Sequence, residues 1–184
     1  EQKRRMAEML SPIKDRILCA IPGNHEARSG KDADDDPMAD IMCKLDLEDL
    51  YREDMAFVKI AMMGANQSKN QYIIGIIHGG GGGIFTGATV NRNERFGNMI
   101  DGIDCLIVGH SHKPFVTKPQ KIIVDGNNNL VKTSSYTVVG STSWLSYGGY
   151  ALRKMLLPAS ESNPQKILLK CEDRHKGKDV QVIW

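Results

Sequence analysis

The chain has 184 residues, 24 Lys and Arg against 22 Asp and Glu for a formal net charge of +2, and 41% hydrophobic and 25% charged residues. These values exclude a disordered or low-complexity chain, and the near balance of charge gives no polybasic signal for a nucleic acid or an anionic membrane. Its apolar runs, such as Ile73 to Ile77, fall far short of the roughly 18 to 20 consecutive residues that a membrane helix needs, so no membrane partner is expected. One domain spanning residues 1–184, with a sizeable core, is the expectation from length.

In chain order, Met6, Leu10 and Ile13 recur at helical spacing through residues 2–16, and the apolar run Ile17 to Ile21 then reads as a strand ending at Pro22-Gly23. Residues 28–36 are polar, with Asp32, Asp34, Asp35 and Asp36 crowded together. Pro37 opens a helical pattern through Ile41, Leu45 and Leu50. Strands are predicted at Met55 to Met63 and Tyr72 to Ile77, the second running straight into His78 and five glycines. A helix near Val90 to Ile100 leads to a strand at Cys105 to Val108, which ends in Gly-His-Ser-His. Residues 121–125 and 130–139, joined by Gly126 to Asn129, read as a hairpin. After a helical or irregular segment at Tyr150 to Leu157, Ile167 to Cys171 and Val180 to Trp184 read as another hairpin. The class is α/β, with an antiparallel β-rich final third.

Cys19, Cys43, Cys105 and Cys171 are widely spaced, without a Cys-x-x-Cys pair, and Cys19 and Cys105 sit in apolar runs. Buried free thiols in a reducing, cytoplasmic compartment fit this pattern better than a disulfide framework.

Four of the five histidines fall in loops that follow predicted strands: His25, His78, His110 and His112. The fifth, His175, lies in a charged loop and is given no role. In α/β folds such loops bring distant segments together, and neutral imidazole is the commonest protein ligand for transition metals. Asn24 adds an oxygen donor of the kind that Zn, Mn or Fe accepts. A metal site explains the placement.

The succession Gly23-Asn24-His25-Glu26, His78-Gly79 and Gly109-His110-Ser111-His112 resembles the calcineurin-like metallophosphoesterase family. The resemblance covers about residues 1–115 and implies a β-sandwich flanked by helices (αββα) with two divalent ions, Mn, Fe or Zn. It implies that Asn24, His78 and His110 bind one metal and His112 the other, while His25 faces the scissile phosphate. It further implies hydrolysis of a phosphate mono- or diester by a metal-activated water, with His25 stabilising or protonating the leaving oxygen. Glu26 is a candidate to orient His25, and Ser111 is read as a small spacer.

The family also carries an Asp-x-His and a Gly-Asp ahead of the Gly-Asn-His-Glu loop, and this chain has neither there. The expectation is therefore a fold incomplete at its N-terminus, binding at most one metal and showing little activity alone, with a full-length parent that hydrolyses phosphate esters. Pro22 stands where protein Ser/Thr phosphatases of the family carry Arg, which weakens assignment to that branch. The alternatives are a DNA exonuclease or phosphodiesterase of the same family, for which the charge offers no obvious polyanion groove, and a metal-free binding module on the same scaffold. Substrate identity and oligomeric state are left open.

Weaker features are read structurally. Gly79 to Gly83 lacks a following Gly-Lys-Ser/Thr and is expected to be a flexible substrate-side loop rather than a nucleotide loop. Arg28 is a candidate phosphate clamp or a solvated charge, the aspartate cluster at 32–36 an exposed acidic loop, and Trp144, Tyr147 and Tyr150 packing residues.

Overall fold

A computed structural model describes residues 1–26, 35–62, 71–80, 85–143, 148–149, 153, 164–170 and 178–184. The chain folds as two compact units, residues 1–58 with 76–78, and residues 59–75 with 79–184.

The first unit opens with α1 (Gln2–Leu10), which tightens into a 3-10 helix at Ser11–Arg16, where Pro12 lacks the N–H that an α-helix would use. Helix α2 (Pro37–Lys44) packs Ile41 and Leu45 against Ala7 of α1, with Leu10, Ile17 and Leu47 partly buried around them. Asp36 caps α2, accepting from the N–H groups of Met38 and Ala39 at 3.1 and 3.0 Å, and also accepts from the Tyr51 hydroxyl. Among the described residues, the expected strand at Ile17 to Ile21 is reduced to one parallel bridge between Ala20 and Tyr51. The reason is local: residues 48–50 opposite it form a 3-10 turn and residues 53–54 bend, so only Tyr51 is extended enough to pair.

Strands β1 (Met55–Ala61), β2 (Gln71–Ile77), β3 (Cys105–Val108), β4 (Phe115–Thr117) and β7 (Thr137–Gly140) form a mixed five-stranded sheet in the order β1-β2-β3-β7-β4. The pair β3 and β7 is parallel, with Cys105 opposite Thr137 and Val108 opposite Gly140, while β4 runs antiparallel to β7. All four residues of β7 are buried, the continuous burial that a central strand covered on both faces requires. Phe115 lies across Gly140, where a Cβ would come within 2.3 Å of its ring.

Helix α3 (Thr86–Met99) begins earlier than its apolar pattern suggests, because the face it buries is Thr89, Asn93 and Gly97 rather than a hydrophobic stripe. Gly97 admits the Tyr136 ring, whose hydroxyl donates to Asn98 Oδ1 at 2.9 Å. Tyr136 also divides the expected strand 130–139. Residues up to Ser135 form β6 (Leu130–Ser135), antiparallel to β5 (Gln120–Asp125), whereas Thr137 onward leaves the hairpin as β7. The change in burial, from six exposed residues in β6 to four buried in β7, explains the split.

The second expected hairpin is present as β8 (Lys166–Lys170) and β9 (Asp179–Ile183). Tyr72, fully buried in β2, donates its hydroxyl to the Lys170 carbonyl and accepts the Asp179 N–H at 2.9 Å. Cys19, Cys43 and Cys105 are free thiols, but Cys43 is exposed rather than buried, since it faces outward from α2. Among the described residues no helix is long and apolar enough to cross a membrane.

Candidate functional site

In the first unit, residues 24–26 form a helical turn straight after Gly23. The Gly23 N–H donates to Glu26 Oε2 at 2.9 Å, so the bond that Glu26 makes closes its own turn. A Cβ at Gly23 would lie 3.1 Å from His78 Cε1, which shows how closely the turn packs on that ring. His78 follows β2, is half-buried, and has Nε2 3.2 Å from Asn24 Oδ1. His25, between Asn24 and Glu26, is exposed.

In the second unit, Gly109 to His112 follow β3. His110 and His112 both have left-handed backbone, with φ of 65° and 55°, which side chains other than glycine rarely adopt. The Ser111 N–H donates to the Gly109 carbonyl at 2.8 Å, closing a three-residue turn centred on His110; with positive φ this is the strained form of the γ-turn. Ser111 Oγ accepts the Lys113 N–H at 3.4 Å, so Ser111 shapes the loop and is more than a spacer. His110 is half-buried and His112 exposed. Backbone strain of this kind persists where surrounding structure over-determines it, and it clusters at functional sites.

The structure thus joins Asn24 with His78 in one unit and carries His110 and His112 on one loop of the other. Imidazole nitrogen and amide oxygen are donors that Mn, Fe or Zn accepts, and 3.2 Å suits two neighbouring donors each about 2.1 Å from one ion. The pair fits in kind and spacing but supplies only part of a coordination shell. Among the described residues no group of three or more His, Cys, Asp or Glu side chains is placed to hold a metal.

A groove of about 640 Å³ between α1 and the end of α2, lined by Ala7, Ser11, Leu45 and charged side chains, contains none of the candidate residues. Arg28, Asp32, Asp34, Gly81 to Gly83, Trp144, Tyr147, Tyr150, Cys171 and His175 lie outside the described residues, as does the one Asp-x-His triplet of the chain, Asp173-Arg174-His175. Of the acidic cluster, Asp35 pairs with Lys3 and Asp36 caps α2, roles beyond those of an exposed acidic loop.

Sequence reasoning missed Asn93, fully buried in α3, with Oδ1 accepting the Gly80 N–H at 3.2 Å. Its only signal is a polar residue four positions after Thr89 and four before Gly97. Compared with known proteins, the chain matches no family model, no curated protein and no solved structure.

Proposed function

We propose that this chain is part of a calcineurin-like metallophosphoesterase, with an αββα sandwich fold, that hydrolyses phosphate esters in the cytoplasm. The observation that supports this best is the meeting of Asn24 Oδ1 and His78 Nε2 at 3.2 Å, two donor types brought together from positions 54 residues apart. The strained backbone at His110 and His112 supports it independently.

In this reading Asn24, His78 and His110 are ligands of one divalent ion and His112 is a ligand of the other. The ions, when bound, neutralise phosphate oxygens and lower the pKa of water. His25, exposed beside Asn24, in its protonated form donates to the leaving oxygen. Gly23 keeps the Asn24 turn close against His78 because it presents no side chain to the ring. Ser111 holds the His110 turn through its N–H and the following backbone through its hydroxyl. With neither aspartate motif ahead of Gly23, these 184 residues are expected to bind at most one metal and to turn over slowly.

Elemental analysis of the purified chain and of a His78→Ala, His110→Ala double variant tests this, beside hydrolysis of an aryl phosphate and an aryl phosphodiester with added manganese. About one metal per chain, lost in the double variant, with little turnover, is expected. A chain that takes up no metal would favour a binding module, and two metals with turnover would mean that other ligands replace the absent aspartates.

A further inference from the structure

Asn93 has 0% exposure and stands on the buried face of α3 with Thr89 and Gly97. Its Oδ1 accepts the Gly80 N–H at 3.2 Å, and because only the amide oxygen can accept, this bond fixes which way the amide lies. The other half, Nδ2, is buried and has no hydrogen-bond partner among the described residues. A buried donor left unmade costs about 1 to 3 kcal/mol, so packing alone does not account for an amide at this position; what an apolar residue of the same size could not supply is the acceptor for the Gly80 N–H.

Gly79, with φ of 78°, rests against the same side chain: a Cβ there would lie 3.0 Å from Asn93 Oδ1, 3.4 Å from Val108 Cβ and 3.5 Å from the Gly109 carbonyl. Asn93, the first two glycines of the pentaglycine run and the end of β3 therefore form one packed block. Gly79 directly follows His78 in the chain, and Gly109 directly precedes His110.

We propose that Asn93 is a positioning residue: it pins the backbone of Gly79 and Gly80 against the end of β3, so that the segment leaving His78 and the segment entering His110 are set before any ligand binds. Gly79 and Gly80, the first two residues of the pentaglycine run, are then anchored. This inference rests on the metallophosphoesterase reading for the purpose of the anchor, but the anchor itself has a readout that needs no metal.

Amide hydrogen exchange of the metal-free full chain, followed by a Co²⁺ titration read by absorbance, tests it on Asn93→Leu, the isosteric Asn93→Asp and the control Thr89→Val. Asn93→Leu is expected to speed exchange at Gly80 about tenfold and to weaken Co²⁺ binding about tenfold. Asn93→Asp, which retains an oxygen toward Gly80, is expected to keep that amide protected, and Thr89→Val to change neither readout. If Asn93→Leu does not fold, Asn93→Ser removes the same bond from reach of Gly80.

Gly80 exchange that is unchanged, or that rises only in step with the other amides of α3 and β3, would overturn the proposal. So would release of Gly80 with Co²⁺ affinity intact. A wild-type chain that binds no Co²⁺ would instead overturn the metallophosphoesterase reading, while exchange at Gly80 would still decide the anchor.

Discussion

Around His78 the geometry is made by side chains, whereas at His110 and His112 it is made by backbone. Asn24 Oδ1 meets the His78 ring at 3.2 Å and the Gly23 turn closes over it through Glu26. The second loop instead holds two histidines at φ of 65° and 55°, and each left-handed residue costs on the order of 1 to 2 kcal/mol. Such a loop needs a stiff base. It has one in the buried pair β3 and β7, in the Ser141 N–H that donates to the Val108 carbonyl at 2.8 Å, and in Phe115 seated on Gly140. The contrast teaches that a donor can be aimed by a neighbouring side chain at little cost, or by strained backbone where the strands beneath are rigid enough to bear it.

The largest expected effect is at that base. In Gly140→Ala the new Cβ would come within 2.3 Å of the Phe115 ring and 3.0 Å of the Lys113 carbonyl, so urea unfolding should show a loss of about 3 kcal/mol. Gly23→Ala should lose less, about 1 kcal/mol, since the atom nearest its Cβ, at 2.7 Å, is the end of the flexible Glu26 side chain, and the His78 ring, at 3.1 Å, need give by only a few tenths of an ångström. Equal losses would break the contrast.

Next comes pH. Burial, reinforced by the charge of Asp104, pushes the Cys105 thiol in β3 from its usual 9.0 up to about 12. The folded chain keeps that proton while the unfolded chain gives it up, so the thiol's contribution is complete below about pH 9 and is lost as pH rises toward 12. By pH 10 the loss is about 1 kcal/mol, and Cys105→Ala should flatten the fall in stability between pH 9 and 10.5 on a scale of about 1 kcal/mol. Cys19, half-buried ahead of the Gly23 turn, is raised by burial and lowered by Arg52, so Cys19→Ala should flatten the curve less. A larger effect at Cys19 would reverse the ranking of the two bases.

The smallest effect is expected at the loop itself. His112→Gly relieves a left-handed residue and should raise stability by about 0.5 kcal/mol in thermal unfolding, while any metal affinity falls. His78→Ala has no strain to relieve and should not stabilise. A His112→Gly variant that is less stable would show that the histidine makes contacts worth more than its backbone costs.

The elements that periodicity could report were legible: α1, α2, β2, β3 and both hairpins lie close to their expected places. What failed was pairing. The run Ile17 to Ile21 has the composition of a strand, but composition says nothing of whether an extended neighbour is present, and among the described residues only Tyr51 meets it. The boundary at Tyr136 was hidden because a β-like run continues across it while the partner strand changes. At the candidate site, residue types marked His78 and Asn24, yet the strain at His110 and His112 resides in dihedral angles, which no spacing reveals. Asn93 was hidden for the opposite reason: a helix that buries threonine, asparagine and glycine lacks the apolar stripe by which a buried face is recognised.

The Tyr72 hydroxyl carries a consequence for synthesis. Its partners, the Lys170 carbonyl and the Asp179 N–H, lie 98 and 107 residues further along the chain. A ribosome adding about 5 to 20 residues per second leaves that hydroxyl without its partners for roughly 5 to 20 seconds after β2 is made. During that interval β2 and β3 can collapse, but the site that finally seals Tyr72 has not been translated. The second unit is thus expected to gain its full protection only once residues 170 to 179 have been translated and have cleared the ribosome, and a nascent chain stalled before residue 170 should remain open to protease at β2.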